Sequence, residues 1–355
     1  MREITSRSEP TRTGTRQLRM RNPARPSFGL SALMVLSQQP APVILVLLLV
    51  VVAVLKPAFF GISNITAILQ EAAILGLVTI GQTFVLIARG LDLSVGAVMG
   101  LAATIVTKTF ASGTPIGLAI LLAFGVSAIV GVLNAWLVVR RSVAPFIATL
   151  GTFILVEGLR TAYTHGSTTG VAPTTLRHVA LGSLAGIPIA LLIWVGVLGV
   201  ALGLLHRTAA GRFLYASGGN PRASHLSGVP VAWVLAASYL AAALLACGAG
   251  LLQAGYAGYV DQYLGNEVQL TSITAALVGG VTFAGGDGGL LGPALGALLL
   301  TALANLIALL NLSSADQSIV TGIVLLLAVA LQGLRLALKR ERLQLSDLFP
   351  RIRGA

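Results

Sequence analysis

Residues 211–228 read GRFLYASGGNPRASHLSG, a polar and basic stretch in a chain that is apolar on both sides of it. Arg212, Arg222 and His225 bring positive charge. Asn220 is a good helix N-cap, Pro221 suits the first helical position, and Gly228 suits the residue just past the end. About two turns of helix lie between them. An isolated helix that short is marginal in water, so it needs a surface to pack on. Phe213, Leu214 and Tyr215 supply apolar area, and Gly218-Gly219 permits a sharp turn. The pattern fits a short helix seated in a groove of a partner. Composition alone leaves open whether that surface belongs to another protein or to this chain's own helices.

The flanking sequence decides the class. Of 355 residues, 56% are hydrophobic and 10% charged, against about 25% charged in soluble domains, and mean hydropathy is +0.91. A helix needs about 20 apolar residues to cross the hydrocarbon core. Ten stretches qualify, near 40–59, 65–88, 93–111, 115–139, 144–163, 186–205, 230–255, 269–285, 289–311 and 316–337. The third and eighth are short and glycine-interrupted, which points to broken or re-entrant segments. The expected fold is an all-α integral membrane protein of about ten transmembrane helices.

Charge orients it. Net charge is +12. In a soluble protein that would suggest nucleic acid; in a membrane protein the distribution matters more, since Lys and Arg accumulate on the cytoplasmic side. With both termini cytoplasmic, 19 of the 23 basic residues lie inside, and only Lys56, Lys108, Arg160 and Arg177 lie outside. No nucleic-acid partner is expected; the partners of the basic face are anionic lipid and protein. Residues 1–39 read as a basic, disordered cytoplasmic tail, although their Arg/Ser/Thr content is also that of transit peptides. Residues 40–338 read as the transmembrane domain, with the polar loop at 207–229, and 339–355 as a cytoplasmic tail.

Four segments, in order, resemble one family. GRFLYASGGNPRASHLSGVPV looks like the cytoplasmic coupling loop of permease subunits in bacterial ABC importers for simple sugars, the ribose/xylose/galactose type. GLDLSVGAVMGLAA (Gly90–Ala103), NAWLVVRRSVAPFIATLGT (Asn134–Thr152) and GGVTFAGGDGGLLGPALGALLL (Gly279–Leu300) resemble its other hallmarks, so the likeness runs from about 40 to 338. It implies an inner-membrane subunit working as a homodimer or with a similar second permease. It also implies an ATP-binding-cassette subunit that binds ATP-Mg, and an extracytoplasmic sugar-binding protein. This chain itself would hold no cofactor. The residues expected to couple to the ATPase are Gly211, Arg212, Tyr215, Gly218, Gly219, Asn220, Pro221, Ala223, Leu226, Ser227 and Gly228. Two positions depart from the pattern. Arg89 stands where the family usually has glycine, and Asp287 where a basic or small residue is common.

Polar residues in the apolar body are the candidates for a pathway or gate. A charge at mid-membrane costs roughly 2.5–3.5 kcal/mol on insertion scales, so each asks for a partner or a cavity. Asp92 is expected to cap a helix starting at Leu93, with Ser94 as a second local acceptor; the functional alternative is that this segment lines the pathway. Glu71, Thr79 and Gln82 fall on one helical face with Gln70 adjacent. Asn134, Gln269, Thr271, Ser272 and Asn305 join that set, with Phe146 in the third hallmark segment. Neutral polar groups suit sugar hydroxyls, whereas interhelical hydrogen bonding explains each one singly. Glu157 and Arg160 are spaced to pair. Gly96, Gly100, Gly292 and Gly296 are spaced for close helix packing. The stretch from Thr161 to Ala185 is the longest outer loop, where a binding protein would dock unless it is a plain connector.

Other functions lack their residues. None of Lys56, Lys108 and Lys339 sits in a G-x-x-x-x-G-K-[ST] loop, so ATP would be hydrolysed on another chain. No G-x-S-x-G motif or metal spacing suggests an enzyme. The single Cys247 rules out an internal disulfide. An ion-coupled secondary carrier is the rival, and it would embed acids that hold the coupling ion; most acids here lie at turns, with Glu71 the main exception.

Overall fold

The computed structural model describes residues 41–313 and 315–330. The expected tails, 1–39 and 339–355, and the end of the tenth apolar stretch lie outside the described residues. Each of the ten apolar stretches contains a helix. They are α1 (Ala41–Leu55), α2 (Ile62–Ile87), α3 (Val95–Ala111), α4 (Ile116–Ala135), α5 (Pro145–Thr164), α7 (Ile189–Arg207), α10 (Val231–Ala257), α11 (Val268–Val278), α12 (Leu291–Leu309) and α13 (Ala315–Ala330). Three further helices lie between them: α6 (Thr174–Leu181), α8 (Ala209–Gly219) and α9 (Pro221–Leu226). A 3-10 turn, Pro57–Phe60, follows α1, and there are two antiparallel pairs of short strands, Thr169–Val171 with Tyr259–Val260 and Ser183–Leu184 with Ile187–Pro188.

Six of the helices are long and apolar enough to cross a membrane unaided: α2, α4 with its π-turn Trp136–Arg140, α5, α7, α10 and α12. α2 lies at the centre, with 83% of its most apolar window buried by protein. α10 packs on α2, α3 and α4. Its Ala242, Ala243, Ala246 and Ala249 are buried, and small residues let helix backbones approach closely where lipid offers no hydrophobic drive. The outer ring is apolar toward its surroundings. Val46, Leu121, Ile129, Ile154, Val200 and Leu326 are all exposed. Such a belt would aggregate in water and is the natural lipid-facing surface of a membrane protein.

The eighth stretch is broken. α11 has 11 residues, about 16 Å of helix at 1.5 Å per residue, roughly half the hydrocarbon thickness. It ends at Val278 rather than near 285 because Gly279 and Gly280 follow, the latter at φ +95°. It begins after Glu267, itself at φ +71°. The third stretch starts late: residues 90–94 are not helical and lead into α3 at Val95. The spaced glycines seat these pieces. An added Cβ would meet Gly265 and Gln269 at Gly96, Arg160 and Leu264 at Gly100, Gly279 at Gly292, and Ala275 at Gly296.

The outer stretch 161–185 is not a bare connector. Leu176 and Ala180 of α6 are buried, and α6 packs on α10, where Gly255 touches Leu176. Thr169 and Val171 pair with Val260 and Tyr259, tying this loop to the end of α10.

Candidate functional site: a glycine junction and a polar cavity

Asn220 caps α9 as its residue type suggests: its Oδ1 accepts from the Ala223 N–H at 3.0 Å, and Pro221 follows at the first helical position. Gly228 sits past the end at φ +81°. Upstream, Gly218-Gly219 does not turn but continues α8 to its last residue. Thr208 caps α8, its side chain accepting from the Gly211 N–H. The surface question has a two-sided answer. Gly211, Leu214, Ser217, Gly218 and Ser224 are buried against the chain's own body. Arg212, Gly219, Asn220, Ala223, Ser227 and Gly228 are exposed, and Leu226 is 82% exposed.

The buried side meets two other turns. The Gly286 N–H donates to the Ile87 carbonyl at 2.8 Å, and Gly218 fits against both, where any Cβ would strike Ile87 and Gly286. Tyr215 Oη donates to the Gly288 carbonyl at 2.8 Å. Burial first, and the Asp287 carboxylate second, raise the Tyr215 phenol above its ordinary range, so it stays a donor. Asp287 Oδ1 accepts from the Gly288 N–H. Thus α8, the end of α2 and the glycine turn 285–288 form one junction. Arg89 lies in it at φ +66°, the left-handed region that favours glycine. That explains physically why glycine suits this position.

The turn continues into a buried polar knot at residues 90–94. Asp92 is fully buried, and its Oδ1 accepts from the Ser94 N–H at 2.8 Å and the Ser94 hydroxyl at 2.6 Å. The helix starts at Val95, so Ser94 acts as donor and Asp92 closes a local turn rather than capping a helix at Leu93. Asn134 Nδ2 of α4 donates to Ser94 Oγ at 2.7 Å. Thr149 of α5 accepts from the Leu93 N–H at 3.1 Å, and Tyr239 of α10 donates to the Leu91 carbonyl at 3.3 Å. Three helices therefore hold the segment that this junction touches.

On the opposite side, the segment 258–267 after α10 folds inward to reach α11. Arg160 of α5, buried to 2% exposure, holds it. The guanidinium donates to the Leu264 carbonyl at 2.7 Å, to the Gln262 carbonyl, and to Glu157 Oε2 at 2.8 Å. Above it lies a cavity of about 440 Å³, walled by α2, α3, α10, α11, α12, α13 and this segment. Glu71 and Thr271 line it. Glu71 Oε1 accepts from Tyr256 Oη at 3.0 Å.

The remaining expected pathway residues lie elsewhere. Gln70 is buried and donates to the Leu181 carbonyl at 3.3 Å. Gln82 is buried in α2 away from this cavity, and Thr79 bonds back to Leu75. Ser272 is buried and donates to the Gln269 carbonyl. Asn305 pairs with Asn64 at 2.9 Å. Phe146 is 53% exposed on α5. Sequence reasoning missed Gln253 and the segment 259–266 as parts of the cavity, and Tyr256 as the partner of Glu71, because α10 reads as uniformly apolar and its polar residues carry no periodic signal.

Helices spanning an apolar belt, a surface element with a free outer face and a polar cavity inside the bundle are the parts of a polytopic membrane protein. The chain belongs to the family described as branched-chain amino acid transport system / permease component, whose model matches residues 64–329. It is similar to the ribose import permease protein RbsC of Bacillus subtilis (strain 168), 36% identical over 289 residues, covering 81% of this chain and 90% of that protein. The ribose import permease protein RbsC of Escherichia coli (strain K12) is 33% identical, over 83% of this chain and 93% of its own length. The galactose/methyl galactoside import permease protein MglC of the same organism is 31% identical, over 84% and 94%. No solved structure matches the chain.

Proposed function

We propose that this chain is the membrane-spanning subunit of an ATP-binding-cassette importer that moves a monosaccharide inward. A separate ATPase subunit binds ATP-Mg and hydrolyses it. The family description mentions branched-chain amino acids. The relatives similar over more than four-fifths of the chain are named for ribose and galactose import, and they favour the sugar. The observation that carries the reading is the two-sided build of α8 and α9. One side is seated on turns that continue into the membrane bundle, and the other presents Leu226, Ala223 and Arg212 to a partner. A motor gripping the free side would move the ends of α2 and the turn before α12 together. Two copies of the chain, or one with a similar subunit, enclose the pathway. An extracytoplasmic binding protein delivers the sugar to the outer surface. Residues 40–338 form the permease domain, flanked by the cytoplasmic tails 1–39 and 339–355.

The experiment is sugar uptake by proteoliposomes holding permease, ATPase and binding protein, loaded with ATP and lacking any ion gradient. Uptake should follow ATP. Leu226→Glu should leave the permease inserted yet abolish ATPase binding and uptake. Uptake that needs an ion gradient and ignores ATP would instead make the protein a secondary carrier.

A further inference from the structure

We propose that the end of α4 is a docking site for one anionic phospholipid, its headgroup on Arg140 and Arg141 and an acyl chain along the exposed face of the helix. The proposal needs only that the chain spans a bilayer, and it stands apart from the import reading. Leu118, Leu122, Gly125, Ile129, Val132 and Trp136 are exposed. Their alternating four- and three-residue spacing sets them in one stripe. The stripe is about 27 Å long, close to the hydrocarbon thickness of about 30 Å. At its end the helix changes form. Trp136–Arg140 is a π-turn, closed by the Arg141 N–H on the Trp136 carbonyl at 3.2 Å. Five residues along a regular α-helix lie about 140° apart around the axis; in a π-turn the fifth residue comes round above the first. The Arg141 guanidinium accordingly stacks over the Trp136 ring, 4.7 Å from its centroid. Arg140 is exposed next to it in sequence.

Charge names the occupant. No Asp or Glu occurs between Asp92 and Glu157, and among the described residues neither arginine forms an ion pair. Two adjacent guanidinium groups at the end of an apolar stripe match a phosphate above a hydrocarbon chain. Guanidinium binds phosphate through paired hydrogen bonds, tryptophan sits at the headgroup level, and basic residues there attract anionic lipid. A second copy of the chain is the rival occupant. Both copies insert with the same orientation, so their two-fold axis runs along the membrane normal. An isologous contact then sets each residue at the level of its own counterpart. Contact through this stripe would bring both arginine pairs together, with no acid from residues 93–156 of either copy to offset them, and like charges repel. A zwitterionic lipid fits less well, since its own ammonium group offsets its phosphate.

The test is tryptophan quenching on the full chain in phosphatidylcholine nanodiscs, in a Trp233→Phe background. Trp194 is buried, so Trp136 is the surface reporter, and Trp136→Phe gives the blank. Phosphatidylglycerol and phosphatidylcholine carrying the same brominated chains are introduced in turn. Brominated phosphatidylglycerol should quench Trp136 half-maximally at a mole fraction about tenfold lower, the scale of two basic residues near an anionic headgroup. Arg140→Gln with Arg141→Gln should bring the two lipids to equal quenching, and quenching by both shows that the variant still sits in the bilayer. Arg140→Gln alone keeps the Trp136–Arg141 stack and should cut the preference to about threefold; it is the readout if the double variant fails to insert. Equal quenching of the parent chain by the two lipids overturns the site, since the stripe then meets bulk lipid only. Quenching by neither also overturns it, and marks the stripe as covered by protein. A preference unchanged by these substitutions overturns the assignment to the two arginines.

Discussion

The junction around Gly218 and the junction around Arg160 both hold an interruption of the helical bundle, with opposite materials. At the Arg160 junction a buried guanidinium satisfies two carbonyls and a carboxylate. At the Gly218 junction, glycines let backbones touch, one backbone bond joins the glycine turn to the end of α2, and one tyrosine hydroxyl joins α8 to that turn. Charges buried in apolar surroundings are costly to separate; backbone contact through glycine is tight but can be re-formed elsewhere. The difference teaches where motion belongs. The wall at Arg160 is clamped, and the face at Gly218 is a set of parts in contact, with one side of α8 and α9 exposed.

The largest expected effect is at the clamp. Arg160→Ala leaves Glu157 and two carbonyls without their donor, a loss of about 3–5 kcal/mol for a broken buried pair; thermal unfolding in detergent should show it as a marked drop in midpoint. A midpoint like wild type would mean that the guanidinium does not hold this wall. At the Gly218 junction, Gly218→Val forces α8 off Ile87 and Gly286, an overpacking cost of about 1–3 kcal/mol. Here the ATPase should still bind while uptake per ATP falls. Equal uptake per ATP would show that this contact transmits nothing.

Smaller effects sharpen the contrast. Tyr215→Phe removes the bond to Gly288, about 0.5–1.5 kcal/mol, and should weaken coupling with little change in unfolding. Arg89→Gly relieves a left-handed backbone at a non-glycine residue, about 1 kcal/mol. Its unfolding midpoint should hold or rise, and a fall would show that the Arg89 side chain makes a contact worth more than the strain.

Much of the helical plan is legible in the sequence because crossing a membrane demands length and apolarity, and both are local. The caps of α9 are legible for the same reason: Asn220, Pro221 and Gly228 act within a turn of where they stand. The Glu157–Arg160 pair is readable from its spacing. What Arg160 holds is not readable, since Gln262 and Leu264 lie about a hundred residues further along and offer only carbonyls. The Glu71–Tyr256 bond spans 185 residues. A stripe of polar residues on α2 suggests one shared face; packing separates Glu71 at the cavity from Gln70 on the Leu181 carbonyl and Gln82 deeper in α2. Periodicity reports which face a residue is on, and only neighbouring helices decide what that face meets.

The most direct test of the central claim uses Ala223→Cys, exposed on α9, in a Cys247→Ser background. A membrane-impermeant maleimide should label it in inside-out vesicles and not in intact cells, and bound ATPase should protect it. Labelling from the outside of intact cells, or full labelling with the ATPase bound, would contradict the account.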